Sequence, residues 1–117
     1  MLAREQGWPF IPEIHLFHNR EKCQKFVIKR LGKSYCFHEA DAQALCENGV
    51  AVVLIECESD WDTDAAMLVH EACHIVQQQC RDICESEPGD EYMAYCMQIV
   101  SQALFEAHRK WRQRHGK

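Results

Sequence analysis

A chain of 117 residues with a formal net charge of −5 and 47% hydrophobic residues makes one domain, 1–117, with a modest core and no separate substrate-recognition domain, so any cleft is shallow or shared. The acidic balance argues against an electrostatically driven nucleic-acid binder, and no apolar run reaches the length of a membrane span. Eight cysteines, without a hydrophobic N-terminal signal segment or a Cys-x-x-Cys pair, fit reduced, mostly buried thiols in a cytosolic protein better than a disulfide scaffold.

Taken in order, Trp8-Pro9-Phe10-Ile11-Pro12 reads as an extended segment, because proline restricts itself and the residue before it. Asn19 is placed to cap a helix whose apolar stripe is Cys23, Phe26, Val27 and Leu31, and Gly32 stops it. Tyr35 to His38 reads as a short strand. Ala42 to Glu47 and Val50 to Glu56 flank Asn48-Gly49, a two-residue hairpin signal, so a small antiparallel sheet is expected. Asp60, Asp62 and Asp64 supply a cap and first-turn acids for a helix over roughly Thr63 to Cys84. Glu85-Ser86-Glu87-Pro88-Gly89 breaks that helix, and a second opens at Asp90. The basic run His108 to His115 reads as a solvated, fraying helix end. The expected class is α+β, with an N-terminal helix, a small antiparallel sheet and two further helices.

The chemistry lies in His70-Glu71-Ala72-Cys73-His74, an H-E-x-x-H pattern within an apolar helical stretch. At 3.6 residues per turn, His70 and His74 share a face one turn apart and can grip one metal ion, with Glu71 about 100° round beside them. Zinc lowers the pKa of a bound water from about 15.7 towards roughly 7, and Glu71 is placed to take its proton. Catalytic zinc takes three protein ligands, so a third is expected downstream. Position 77 is Gln and position 80 is Cys, which excludes the extended pattern with glycine and a third histidine. Glu91 is the leading candidate for the third ligand, with Glu87 and Asp90 behind it. Glu91, Tyr95, Gln98 and Gln102 recur at helical spacing as one polar stripe, which suggests a polar neighbour. Tyr95 is either a hydroxyl donor to an oxyanion or ordinary packing. Gln77 and Gln98 suit hydrogen bonds that orient the ligands. Cys80 and Cys84 share a helical face and read as packing residues. His38 reads as a surface or turn residue before it reads as part of a cleft. An edge strand near the metal, either Tyr35 to His38 or Val50 to Glu56, can pair with an extended peptide.

Leu68 to Gln77 followed by Asp90 to Gln98, giving H-E-A-x-H-x-x-Q and then E-x-x-A-Y-x-x-Q, resembles a family of small phage-encoded zincin-like proteins over roughly residues 40 to 105. Cys73 departs from the bulkier aliphatic residue expected within that motif. The resemblance implies a minimal zincin-like domain with Zn2+ held by His70, His74 and Glu91 in the manner of gluzincins. More distantly the arrangement is similar to ImmA/IrrE-type metallopeptidase domains, which implies a protein or peptide substrate in a bacterial cytoplasm. The function expected is zinc-dependent peptide-bond hydrolysis with Glu71 as base. The alternative is a non-enzymatic phage accessory protein that binds a host protein and keeps zinc for stability. Neither nucleic acid nor membrane is expected as a partner, and the sequence leaves the oligomeric state open.

Overall fold

A computed structural model describes residues 1–7, 11–37, 40–56, 59–83, 85–87 and 89–116. In chain order the elements are β1 (Leu2–Arg4), β2 (Glu13–Phe17), α1 (Arg20–Leu31), β3 (Ala42–Glu47), β4 (Val50–Ile55), α2 (Trp61–Asp82) and α3 (Asp90–Arg114). The run Val50-Ala51-Val52-Val53-Leu54-Ile55 is apolar at every position, and such a strand is stable only with both faces covered. Every residue of β4 is buried. Alternation sends Ala51, Val53 and Ile55 into one core cluster, with Leu68, Ile75 and Leu104. Val50, Val52 and Leu54 enter a second cluster with Cys23, Val27 and Phe37. The sheet therefore lies between α1 on one face and α2 with α3 on the other.

The strand order is β1-β2-β4-β3. The expectation of an antiparallel sheet holds for β3 and β4, whose register runs from Ala42↔Ile55 to Glu47↔Val50. It fails for the sheet as a whole, which is mixed: β2 pairs parallel with β4, from Glu13↔Val50 to Phe17↔Leu54. Tyr35 to Phe37 forms no strand. The Phe37 carbonyl instead accepts from Arg20 Nη1 at 2.7 Å, and its ring is buried in the second cluster. His38, Trp8, Pro9 and Phe10 lie outside the described residues, while Gly7 and Ile11 pair in an isolated antiparallel bridge.

The helix boundaries follow their caps. Asn19 accepts from the Lys22 N–H at 2.9 Å, and Gly32, at φ 74°, closes α1 in the left-handed conformation that glycine permits. Asn48 and Gly49, at φ 52° and 74°, make the positive-φ hairpin turn that joins β3 to β4. Asp60 caps α2 by accepting from Thr63 N–H at 2.8 Å. Cys84, expected at the end of that helix, lies outside the described residues. Contacts from Asp64 to His108 at one end and from Gln79 to Tyr92 at the other make α2 and α3 antiparallel.

The basic run is helical to Arg114, and Arg109, Lys110, Arg114 and His115 are solvated as expected, but its other side is packed. His108 is fully buried and donates from Nε2 to Asp64 Oδ2 at 2.8 Å. Arg112 Nη1 reaches the same oxygen at 2.9 Å, and Ser59 N–H donates to Asp64 Oδ1 at 2.9 Å. His108 Nδ1 lies 2.9 Å from His18 Nε2, and His18 stacks on Trp111 at 3.9 Å between ring centroids. A carboxylate buried at the start of α2 demands donors, and this segment of α3 provides them. Among the described residues Cys23, Cys36, Cys46, Cys73, Cys80 and Cys96 are free thiols, and no helix is long and apolar enough to cross a membrane.

Candidate metal centre

His70, Glu71 and His74 stand on adjacent turns of α2, with ligand atoms all within 4.8 Å of one another. The two Nε2 atoms are 3.2 Å apart, and the rings meet edge to face at 78°. Two nitrogens bound to one tetrahedral zinc lie about 3.3 Å apart, from the usual zinc–nitrogen distance and angle. The helix thus holds both imidazoles at ligand spacing. Among the described residues, neither imidazole hydrogen-bonds to anything except the other.

Glu71 differs from its neighbours in burial. His70 and His74 are exposed, whereas Glu71 is only 3% exposed, because its place on the helix turns it toward β3. Its Oε2 is buried with no hydrogen-bond partner. Burial raises its carboxyl above the ordinary value, and the nearby His70 and His74 oppose that rise. An unpartnered buried carboxylate oxygen costs on the order of 1–3 kcal/mol or more. A cation or a proton-donating water between Glu71 and the imidazoles would offset that cost, so the donor set fits a metal.

The cleft beside the centre comes from β3. Alternation places Ala42, Ala44 and Cys46 on the side packed against α2, and their short side chains leave a trough that larger residues would fill. One part, of about 410 Å³, is bounded by Asp41, Ala42, Met67, His70 and Glu71. The next, of about 330 Å³, is bounded by Tyr35, Ala44, Cys46, Glu71, His74 and Arg81. Glu71 lines both. Burial pushes the Cys46 thiol up to about 12, so it stays protonated beside the trough.

Glu91 does not join this group, and the rotation of α3 explains why. Glu91, Tyr95, Gln98 and Gln102 are all exposed, on the side of α3 roughly opposite the buried line of Cys96, Val100 and Leu104. The polar stripe that seemed to need a polar neighbour is thus the water-facing side of α3. The first turns of α3 touch α2 through Tyr92 Oη to Gln79 Nε2 at 2.8 Å and Met93 Sδ to Cys80 Sγ at 3.7 Å. Gln79 and Cys80 lie roughly 180° and 280° round the helix from His70. Glu87 and Asp90 are also exposed and outside the group. Gln77 and Gln98 are exposed and orient neither imidazole.

Sequence reasoning placed Tyr35 near the metal, as part of an edge strand, but missed Arg81 as a residue of the cleft and β3 as its wall. One local signal existed: small residues at alternate positions 42, 44 and 46, beside a strand of bulky ones. Val50 to Glu56, one of the strands expected to offer a free edge, supplies β4, which is central, with β2 and β3 on its two sides. The edge beside the histidines belongs to β3. No protein-family model, curated protein or solved structure matches this chain.

Proposed function

We propose that this chain is a zinc-dependent hydrolase of peptide bonds on a minimal zincin-like plan, in which His70 and His74 hold the metal and Glu71 is the general base. The observation that carries this reading is the unpartnered, buried Oε2 of Glu71 beside two imidazoles at ligand spacing. When bound, zinc supplies Lewis acidity that polarises a carbonyl and acidifies water. Glu71 takes the proton of the attacking water and delivers it to the departing amine. The free edge of β3 offers main-chain groups to an extended substrate. Tyr35, unlike Tyr95, lines the same opening as Glu71 and His74 and is the candidate hydroxyl donor to the carbonyl oxygen.

Glu91 as third ligand and Tyr95 as oxyanion donor, the roles expected from the sequence, require the first turns of α3 to rotate toward the histidine face. The alternative of a binding protein with a structural zinc is less well supported. Structural zinc sites are closed by four protein ligands, whereas here two exposed imidazoles leave one side open. The more distant similarity to ImmA/IrrE-type metallopeptidase domains directs the search to proteins and peptides of a bacterial cytoplasm.

The test is turnover of a quenched-fluorescence peptide pool by zinc-reconstituted protein and by Glu71→Gln. The expected loss is about 10²- to 10⁴-fold, with metal content and circular dichroism unchanged. Equal turnover in both proteins sinks the assignment of Glu71 as base.

A further inference from the structure

The trough beside the metal centre does not end at His74. Cys46 and Gln78, which line the opening that holds Glu71 and His74, also line a larger cavity of about 730 Å³ beyond it. That cavity is lined by the hairpin turn at Glu47-Asn48-Gly49 and by Asp82 and Ile83 at the end of α2. The three spaces follow one another beside β3, the first two sharing Glu71 and the last two sharing Cys46 and Gln78, and Glu71 is 3% exposed with an unpartnered oxygen.

We propose that this path binds an extended polypeptide, and that the large cavity selects a lysine or arginine side chain within about four residues of the bond held at His70 and His74. Charge and length both point there. Two carboxylates, Glu47 and Asp82, border the cavity. Glu47 is joined to Lys33 at 2.8 Å, but Asp82 forms no ion pair among the described residues and accepts an amide N–H from Gln78 at 2.9 Å. Arg81 is turned to Gln78 Oε1, at 2.9 Å, and lines the neighbouring opening but not this cavity. From His74 to Asp82 the helix rises roughly 12 Å, which about four residues of extended chain span. An incoming cation can therefore pair with Asp82 while its backbone follows β3.

This inference rests on the hydrolase reading only for the position of the cleaved bond, so the two are tested apart. Fluorescein-labelled ten-residue peptides, neutral except for one Lys, Arg or Glu scanned through positions 2 to 9, are titrated onto zinc-loaded Glu71→Gln by fluorescence anisotropy. The best Lys or Arg peptide is expected to bind about tenfold more tightly than its Glu counterpart, the scale of one ion pair at Asp82 gained against one repulsion avoided. That preference should vanish in Glu71→Gln carrying Asp82→Asn and Glu47→Gln, and should weaken with added salt. Equal affinities for all peptides, or no saturable binding, overturn the proposal. Selective binding by a protein whose wild type cleaves nothing upholds the cleft and removes the hydrolase reading. Cleavage without charge preference does the reverse.

Discussion

Asp64 is the single side chain on which the packing of the two long helices most depends. It is fully buried and accepts from Ser59, His108 and Arg112. Removing one partner of a buried ion pair strands the others. Asp64→Ala is therefore expected to lower the unfolding free energy by about 3–5 kcal/mol in urea denaturation, and a loss below about 1 kcal/mol would contradict the network's role. The same network sets an acid limit. Burial, with the positive field of His108 and His115 adding to it, holds His18 down at about 3 in the folded state against an ordinary 6.5. Between those values the unfolded chain takes up the proton that the folded chain refuses, so stability is complete above the ordinary value and is lost as the pH falls toward the folded one. Denaturation midpoints measured against pH should fall on that acid side, and His18→Asn should flatten the fall. Glu71 has the opposite sign: its carboxyl is raised by burial, so its charged form burdens the metal-free fold as the pH rises above the ordinary carboxylate range. Glu71→Gln is expected to stabilise metal-free protein by about 1 kcal/mol near neutrality, the pattern of a residue kept for chemistry. A destabilised variant would make Glu71 a structural residue.

Among the elements, those with signals inside their own sequence were legible. The Asn19 and Gly32 caps and the Asn48-Gly49 turn each rest on contacts within a few residues and stand where the pattern placed them, whereas α2 starts at Trp61 behind its Asp60 cap, two residues before the expected Thr63. Strand β2 was not legible, because Glu13-Ile14-His15-Leu16-Phe17 is short and its pairing is with β4, across α1 and β3. Tyr35 to Phe37 had strand composition, but the side chain of Arg20 takes the Phe37 carbonyl. The hairpin turn offers a direct test of backbone demand. Gly49→Ala would carry a Cβ at φ 74° and 2.9 Å from Gln6 Nε2, so a loss of about 1–2 kcal/mol is expected in thermal or urea unfolding; no loss would mean that the turn can relax into another form. The cleft wall offers a second. Ala44→Leu should fill the trough beside Glu71, lowering kcat/KM on any cleaved peptide by at least about tenfold while metal content stays at the wild-type level. Unchanged kcat/KM would place the substrate elsewhere.

At the scale of the whole molecule, β4 is sealed between two core clusters, and among the described residues β3 is an edge strand beside α2. The His70, Glu71 and His74 group lies where this closed layering meets that edge, so two histidines can face water while the carboxylate between them is buried. The local half of the centre could be read from five consecutive residues, because helix geometry alone fixes His70, Glu71 and His74. The half supplied by distant residues could not: which side of α3 faces α2 is decided by Tyr92, Met93 and Cys96 packing on Gln79 and Cys80, and that packing turns Glu91 and Tyr95 outward. The most direct test of the account is metal content by elemental mass spectrometry, on untagged protein purified without chelators and on three variants, His70→Ala, Glu71→Gln and Glu91→Ala. The account expects about one zinc per chain in the wild type and in Glu71→Gln, none in His70→Ala, and retention in Glu91→Ala with α3 oriented as described. A wild type that holds no metal even after zinc is added back would contradict the metal centre itself.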